Sequence, residues 1–299
     1  MKLTISTPTF NRAHVIGRVY DSLQKQTNYN FEWLVVDDGS TDNTAELIEN
    51  FSAQEKRFKI TYVKRPRGGY NRALNFILNE VTTDFLYKID SDDYVMPDTV
   101  EKILQWTEEI EDNNDIVAVG IARCLPNGEY IKGVPPTVNN EGYVDATNLE
   151  RQKYNLDADM SEAYKVKIIK NFTYPVWDTE MYAPESLWLN EIALAGYKVR
   201  WYAEKLYVCD YHPGGITKGS SLLEKNNPMG FSMMYNHMLK YGYPFKPNFK
   251  IACQHIALSL IGKNPIYILK SNSLLTTLLA FPVGLILSIR RYLQYKKIH

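Results

Sequence analysis

Along the first 120 residues, short apolar runs alternate with segments whose apolar positions recur at helical spacing. Leu3-Thr4-Ile5-Ser6-Thr7 is rich in β-formers and is closed by Pro8. Val15, Ile16, Val19 and Leu23 then share one face, which predicts a helix. Trp33-Leu34-Val35-Val36 is an apolar run of strand length, stopped by Asp37-Asp38-Gly39-Ser40. The next helix takes Asp42 as its N-cap and turns Leu47, Ile48 and Phe51 inward. Lys59–Val63 predicts a strand, 70–80 a helix, and Phe85–Ile89 a strand that ends at Asp90. Behind Pro97, Asp98 and Glu101 form a D-x-x-E capping box for a helix that carries Val100, Ile103, Leu104 and Trp106. Ile116–Val119 is a further strand.

Repeated βαβα with short connections predicts an α/β fold with a mostly parallel sheet covered by helices. Ligands bind such sheets at the carboxyl ends of the strands, where both acidic clusters fall. From about 123 to 183 the pattern weakens, with turn signals at Pro126-Asn127-Gly128 and Pro135-Pro136. A helix returns at 185–195, stops at Gly196, and is followed by a strand at Lys198–Ala203. The chain holds no internal repeat and no low-complexity segment.

Charge changes this picture. The 299 residues carry 34 Lys+Arg and 34 Asp+Glu, for a formal net charge of zero. The last acidic residue is Glu224, and residues 225–299 hold ten basic residues and no acidic one. Residues 1–224 are therefore at −10 and the remainder at +10, an asymmetry that points the tail at an anionic surface. Apolar content of 45% and charged content of 23% exclude a disordered chain, a collagen and a coiled coil. Cys124, Cys209 and Cys253 are odd in number and widely spaced, which argues against a disulfide framework or a zinc site and for a reducing cytoplasm. The opening MKLTISTPTF has no apolar segment long enough for a signal peptide, so export of the catalytic part is not expected.

Three constellations carry chemistry. Asp90-Ser91-Asp92-Asp93 places three carboxylates in four residues at a strand end. Their repulsion calls for a cation, and a hard divalent ion, Mg²⁺ or Mn²⁺, shared with substrate phosphates fits best; a solvated acidic turn is the plainer reading. Asp37-Asp38-Gly39-Ser40-Thr41-Asp42 suits a tight strand-to-helix turn whose carboxylate meets a base or ribose, although helix capping also accounts for it. Arg67-Gly68-Gly69-Tyr70-Asn71-Arg72 is a Gly-rich helix start flanked by arginines, suited to a diphosphate. It matches neither GxGxxG nor GxxxxGK[ST], which disfavours a dinucleotide fold or a P-loop.

Taken together, the chain resembles the inverting glycosyltransferases of family 2, whose catalytic domain has the GT-A fold. The resemblance runs through Ile5-Ser6-Thr7-Pro8-Thr9-Phe10-Asn11-Arg12, Val35–Asp42, Gly68–Asn75 and the DxDD at 90–93 with Pro97, and covers about 1–220. It implies a metal-dependent hexosyl- or N-acetylhexosaminyl-transferase that uses a nucleoside-diphosphate sugar, UDP-linked for preference. Pro8, Phe10 and Asp38 would border the base, with Asp38 as the direct contact. Gly69 and Arg72 would lie by the ribose or diphosphate. Asp90 and Ser91 would face the donor, Asp92 would hold the metal, and Asp93 would help bind sugar or metal. The family's general base is an Asp or Glu that opens a downstream helix. Pro184-Glu185-Ser186-Leu187-Trp188 matches that position, so Glu185 is the candidate, with Asp178, Glu180 and Glu191 behind it. His212, in Asp210-Tyr211-His212-Pro213, stands where some members place a metal ligand, against the plainer reading of a loop histidine. Trp177 and Trp188 would stack on a sugar or pack in the core. Tyr70-Asn71 replaces the Lys-His that the family often carries.

These readings divide the chain into a GT-A catalytic domain at 1–224 (nucleotide-sugar half about 1–120, acceptor half about 121–224) and a basic, apolar helical region at 225–299. Ser271–Ile289 is 19 residues without charge, nominally long enough to span a bilayer. A single span would place Arg290, Arg291, Lys296 and Lys297 across the membrane from a cytoplasmic catalytic domain, against the positive-inside tendency. An interfacial or re-entrant helix pair on an anionic surface fits better, and a helical subdomain packed on the core is the alternative. The expected setting is the inner face of the cell membrane, with a saccharide or lipid-linked saccharide acceptor. Basic residues interleave with aliphatic runs and not with aromatics, so no nucleic acid partner is expected. Two other classes stay open: a nucleotide-sugar-forming nucleotidyltransferase, and a non-catalytic membrane-associated saccharide-binding protein.

Overall fold

The first strands are buried on both faces, as expected of a sheet covered by helices on each side. The computed structural model describes residues 2–210 and 220–297. The chain gathers into two compact units, Met1–Thr173 with Leu189–Asp210, and Tyr174–Trp188 with Tyr211–His299. The expected divide at 224 thus differs from the packing divide, which falls at 210 and takes 174–188 out of the expected acceptor half.

In the first unit the predicted alternation is present: β1 Leu3–Thr9, α1 Gly17–Gln24, β2 Phe31–Asp37, α2 Thr44–Gln54, β3 Lys59–Lys64, α3 Tyr70–Glu80 and β4 Phe85–Lys88. There follow β5 Tyr94–Val95, α4 Thr99–Glu109, β6 Ile116–Cys124, β7 Tyr143–Ala146, β8 Met160–Lys165 and α5 Val166–Ile169. Helix α6 Ser186–Leu194, across whose length the unit boundary falls, leads into β9 Lys198–Val208. Among the described residues nine strands form one sheet in the order β3-β2-β1-β4-β8-β6-β9-β5, with β7 also on β9. The run β3-β2-β1-β4 is parallel. β8 then enters antiparallel between β4 and β6, which restores β6 to the direction of β4, and β9 runs parallel to β6. The carboxyl ends of β1, β2, β3, β4, β6 and β9 therefore share one edge. Gly120 of β6 makes room for Trp201 of β9: a Cβ there would stand 2.3 Å from the indole Cε3.

Two expected caps differ. The D-x-x-E box at α4 does not close; Glu101 instead accepts the Thr27 hydroxyl at 2.6 Å, and Gln26 Oε1 accepts the Val100 N–H at 3.0 Å. A side chain that follows α1, 74 residues back, does the capping, and its long-range contact outcompetes the local one. At α2 the N-cap is Asn43, one residue past the expected Asp42. Asp42 accepts the Thr44 N–H at 3.1 Å with one oxygen and the Ala13 N–H at 3.0 Å with the other.

In the second unit, α7 Ser220–Asn226, α8 Pro228–Met238, α9 Phe245–Ile261 and α10 Leu274–Tyr295 follow one another. Leu239, Ile251, Ala252, Cys253, Ile256, Ile268 and Ala280 form its core. The 271–289 stretch is thus no helix pair: it opens with a short turn and continues as one helix through Pro282. That helix turns Thr277, Ala280, Gly284 and Ser288 inward, and the small side of Gly284 admits Ile256 of α9. Glu224, the last acidic residue, pairs with Arg291 at 3.5 Å and accepts the Tyr295 hydroxyl.

Candidate active site

Four loops leave the parallel run β3-β2-β1-β4 at its carboxyl edge, and they are the four that carry the motifs. Asn11, after β1, adopts a left-handed φ of 53°. From there its side chain accepts the Thr41 N–H at 2.8 Å, and its own N–H donates to the Ser40 hydroxyl at 2.7 Å. Gly39 turns at φ 88°, and a Cβ there would stand 2.9 Å from the backbone nitrogen of Arg67. The motif glycine is thus required by the close approach of the loop after β3.

Asp38 binds that neighbouring loop. It is 3% exposed; one oxygen accepts the Gly68 N–H at 3.0 Å, and the other accepts the Gly69 N–H at 2.7 Å and Arg67 at 2.8 Å. Arg65 lies 3.6 Å from the first oxygen. Expected as the direct base contact, Asp38 is tied by these bonds to the Gly-rich turn. Arg67 bridges from Asp38 to Phe10, with its guanidinium 3.4 Å from the ring centroid. Pro8 is buried at the end of β1, opposite Val36. Arg72 turns back to donate to the Gly68 carbonyl at 2.8 Å. Pro8, Phe10, Asp38, Gly69 and Arg72 are therefore neighbours along one edge.

The acidic cluster follows β4 on the same edge. Its organiser is Arg123, at the end of β6, which the sequence reading did not single out. Arg123 reaches Asp90 at 3.2 Å and Asp93 at 3.7 Å, donates to the Met160 carbonyl at 2.9 Å, and stacks 4.1 Å from the Tyr207 ring centroid. The Tyr207 hydroxyl accepts the Asp90 N–H at 2.9 Å, and Lys88 lies 3.3 Å from the other Asp90 oxygen. Burial alone would raise the Asp90 carboxyl, but Lys88 and Arg123 reverse that and hold it at about 2. Asp93 goes the other way: burial, then the charge of Asp90, push it up to about 6. Ser91 is buried between them. A lone arginine at the end of the apolar run Ile116–Cys124 is the one signal that points to this partner in the sequence.

Asp92 differs from its neighbours. Among the described residues its carboxylate has no hydrogen bond or ion pair, while its carbonyl accepts Arg18 at 3.4 Å. No group of three or more metal-binding side chains converges among the described residues. A magnesium-like ion does not need one, since it binds one or two carboxylates and completes its shell with water and substrate phosphates. Asp92 fits that role, whereas Asp90 and Asp93 are committed to Arg123.

The remaining candidates lie in the second unit. Glu185 immediately precedes α6. Glu180 is taken up by the backbone of α8, which removes it as an alternative base. Trp188 is 2% exposed and stacks on Tyr174, so it packs as core; Trp177 meets the Tyr267 ring edge-on at 5.2 Å. His212 lies outside the described residues.

A family model described as glycosyl transferase family 2 matches residues 4–171. The chain is 27% identical over 211 residues to the poly(ribitol-phosphate) beta-N-acetylglucosaminyltransferase TarS of Staphylococcus aureus, covering 70% of this chain and 34% of that protein. It is 36% identical over 103 residues to the chondroitin synthase of Pasteurella multocida, covering 34% of this chain and 10% of that one. The matches thus span about a third or less of these relatives' own length. Among solved structures it is similar to residues 1–349 of S. aureus TarS in complex with UDP-GlcNAc, with a TM-score of 0.63 and 21% identity over 87% of this chain and 73% of that one. It is also similar to the mannosyltransferase PcManGT of Pyrobaculum calidifontis in complex with GDP-Man and Mn²⁺, with a TM-score of 0.56 and 19% identity over 98% and 82%. At these identities the likeness is one of fold, and it identifies the mixed sheet as GT-A-like.

Proposed function

The chain belongs to glycosyl transferase family 2, and from that premise we propose that it transfers a sugar from a nucleoside-diphosphate sugar to a saccharide acceptor with inversion at the anomeric carbon. The observation that carries the reading is the gathering of all four motif loops on one sheet edge, with the Asp92 carboxylate unpaired among the described residues, beside two carboxylates held by Arg123. UDP is the preferred nucleotide, as in the solved TarS complex, and a hexosyl or N-acetylhexosaminyl group is the cargo.

In this reading Phe10 and Pro8 line the base, and the amide-rich turn at Gly68-Gly69, held rigid by Asp38, faces the anionic donor with Arg72. Asp92 would hold a Mn²⁺ or Mg²⁺ ion, which when bound neutralises the departing diphosphate. Glu185 takes the proton from the acceptor hydroxyl as its oxygen attacks the anomeric carbon, so an α-linked donor gives a β-glycoside. The basic, apolar C-terminal unit seats the enzyme on the inner face of the cell membrane, and a lipid-linked saccharide is the acceptor class that such a seat favours.

The test is release of nucleoside diphosphate from a panel of nucleotide sugars, with Mn²⁺ or with EDTA. Pyrophosphate in its place would favour a nucleotidyltransferase, and no turnover with any donor would favour a binding protein. Glu185→Gln should keep UDP affinity and lose transfer; full activity in that variant removes Glu185 from the mechanism. Asp92→Asn should abolish the metal dependence of UDP binding, and affinity indifferent to EDTA in the unaltered protein sinks the metal assignment.

A further inference from the structure

The segment that carries Glu185 is gripped by the helices that follow it. Glu180, 7% exposed, accepts the N–H groups of Met229 and Gly230, both at 2.7 Å. These are donors that the first turn of α8 leaves without an intrahelical acceptor. In return Asn227, the residue before α8, accepts the N–H groups of Met181 and Tyr182, both at 3.0 Å, and donates to the Leu223 carbonyl at 2.9 Å. The two pieces of chain cap each other. Gly230 closes the contact: a Cβ there would stand 2.3 Å from the Tyr182 carbonyl oxygen and 3.0 Å from Ala183 Cα. α8 is itself fixed to α9, where the Ser232 hydroxyl meets His255 Nδ1 at 2.9 Å and the Ser259 hydroxyl at 2.8 Å.

This arrangement exceeds what an eleven-residue helix needs to begin. A local Ser, Asp or Asn caps a helix without ordering a loop. Here a carboxylate from 49 residues back is buried to do so, which costs desolvation and chain entropy. What the grip secures in exchange is the backbone of 180–183, two residues short of Glu185. Charge-assisted bonds to backbone N–H groups are short and directional, and so hold a loop in one geometry.

We propose that Glu180, Asn227 and Gly230 are positioning residues for the reaction, through which the C-terminal helical unit sets the placement of Glu185. The C-terminal helices are then part of the catalytic apparatus as well as a membrane seat. The inference rests on the reading of Glu185 as the base, and its experiment separates the two.

The full chain is compared with Glu180→Gln, Gly230→Ala, Asn227→Ala and Asn227→Asp, measuring kcat, KM for the donor and UDP affinity. A general base misplaced by about 1 Å loses on the order of a hundredfold in rate. Glu180→Gln, Gly230→Ala and Asn227→Ala should therefore lose kcat by about tenfold to a hundredfold, with donor KM and UDP affinity within about twofold of the parent. Asn227→Asp keeps the acceptor for Met181 and Tyr182 and should recover most of what Asn227→Ala loses. Unchanged kcat, or a parallel fall in kcat and UDP affinity, overturns the proposal. Glu185→Gln is run beside them. If it turns over normally while the three grip variants do not, the base assignment fails and the grip positions another group of this segment. If it is inactive while they are normal, the base stands and the grip falls.

Discussion

Arg123 makes the acidic cluster tolerable. Asp90 and Asp93 share its guanidinium, only Asp90 has Lys88 as a second cation, and the Arg123 side chain is 12% exposed, too little for water to replace it. Truncation to Arg123→Met should destabilise the chain by about 3–5 kcal/mol, the usual result of leaving buried charge unpaired. Urea unfolding measures this, and an unshifted midpoint would show that solvent already screens Asp90 and Asp93. Arg123→Lys should recover only part, since an ammonium lacks the planar fork that serves Met160, Asp90 and the Tyr207 face together. Legibility divides along the same line. Asp90, Asp92, Asp38 and the glycines stand out because several chemistry-bearing residues crowd into a few positions. Arg123 is one charge at the end of an apolar strand, 33 residues from its partner, and only the register through β8 brings them together. The bonds of Asp38 to the Gly-rich turn are hidden for a related reason: its motif marks its own turn, but these partners come from the next loop.

The elements that local pattern determines match those observed, because β1 through α4 alternate with short connections and a clear change of period. β8 was not legible. Met160-Ser161-Glu162-Ala163-Tyr164-Lys165 has neither a continuous apolar run nor a clean alternation, and its place in the sheet comes from its neighbours β4 and β6. The helices α8 and α9 fall in the expected helical region at 225–299, but their bounds were not legible because they bury residues on several sides, which blurs the period. Their interface contains a polar element, His255, fully buried with Nδ1 on Ser232; among the described residues its Nε2 has no partner. Burial lowers its pKa from the usual 6.5 to about 4. The folded state therefore holds the neutral ring while the unfolded chain takes up a proton. This contribution is complete above pH 6.5 and is lost as pH falls from there toward 4, amounting to about 3 kcal/mol at the lower end. Thermal melts between about pH 7.5 and about pH 5 should show a fall that His255→Gln flattens. Equal slopes in the two proteins would place the pH dependence on other groups.

At the scale of the molecule, a net charge of zero is the sum of an acidic stretch ending at Glu224 and a basic one beginning at Lys225. α10 adds a second asymmetry. A helix of a soluble domain turns its large aliphatic residues inward, yet here Thr277, Ala280, Gly284 and Ser288 face in. Leu275, Leu279, Ile286, Ile289 and Leu293 stand outward, from 73% exposed at Leu275 to 53% at Leu293. They fall on one ridge at spacings of three, four and seven residues, and Arg290, Lys296 and Lys297 lie exposed beside its end. An exposed aliphatic ridge with cations at its margin suits the boundary between headgroups and acyl chains. Vesicle co-sedimentation should therefore show binding to vesicles rich in anionic lipid, weakened by salt, and little binding to zwitterionic ones. Lys296→Gln with Lys297→Gln should lose about tenfold to thirtyfold in affinity, at about 1 kcal/mol per cation. Leu279→Ser with Ile286→Ser should weaken binding to the anionic vesicles by an amount that salt does not change, since aliphatic burial carries no charge. The two pairs thus act through separable forces. If the serine pair binds as the parent does, the ridge lies outside the contact and the charges alone hold the surface. If the glutamine pair does, the tail's positive charge has another use.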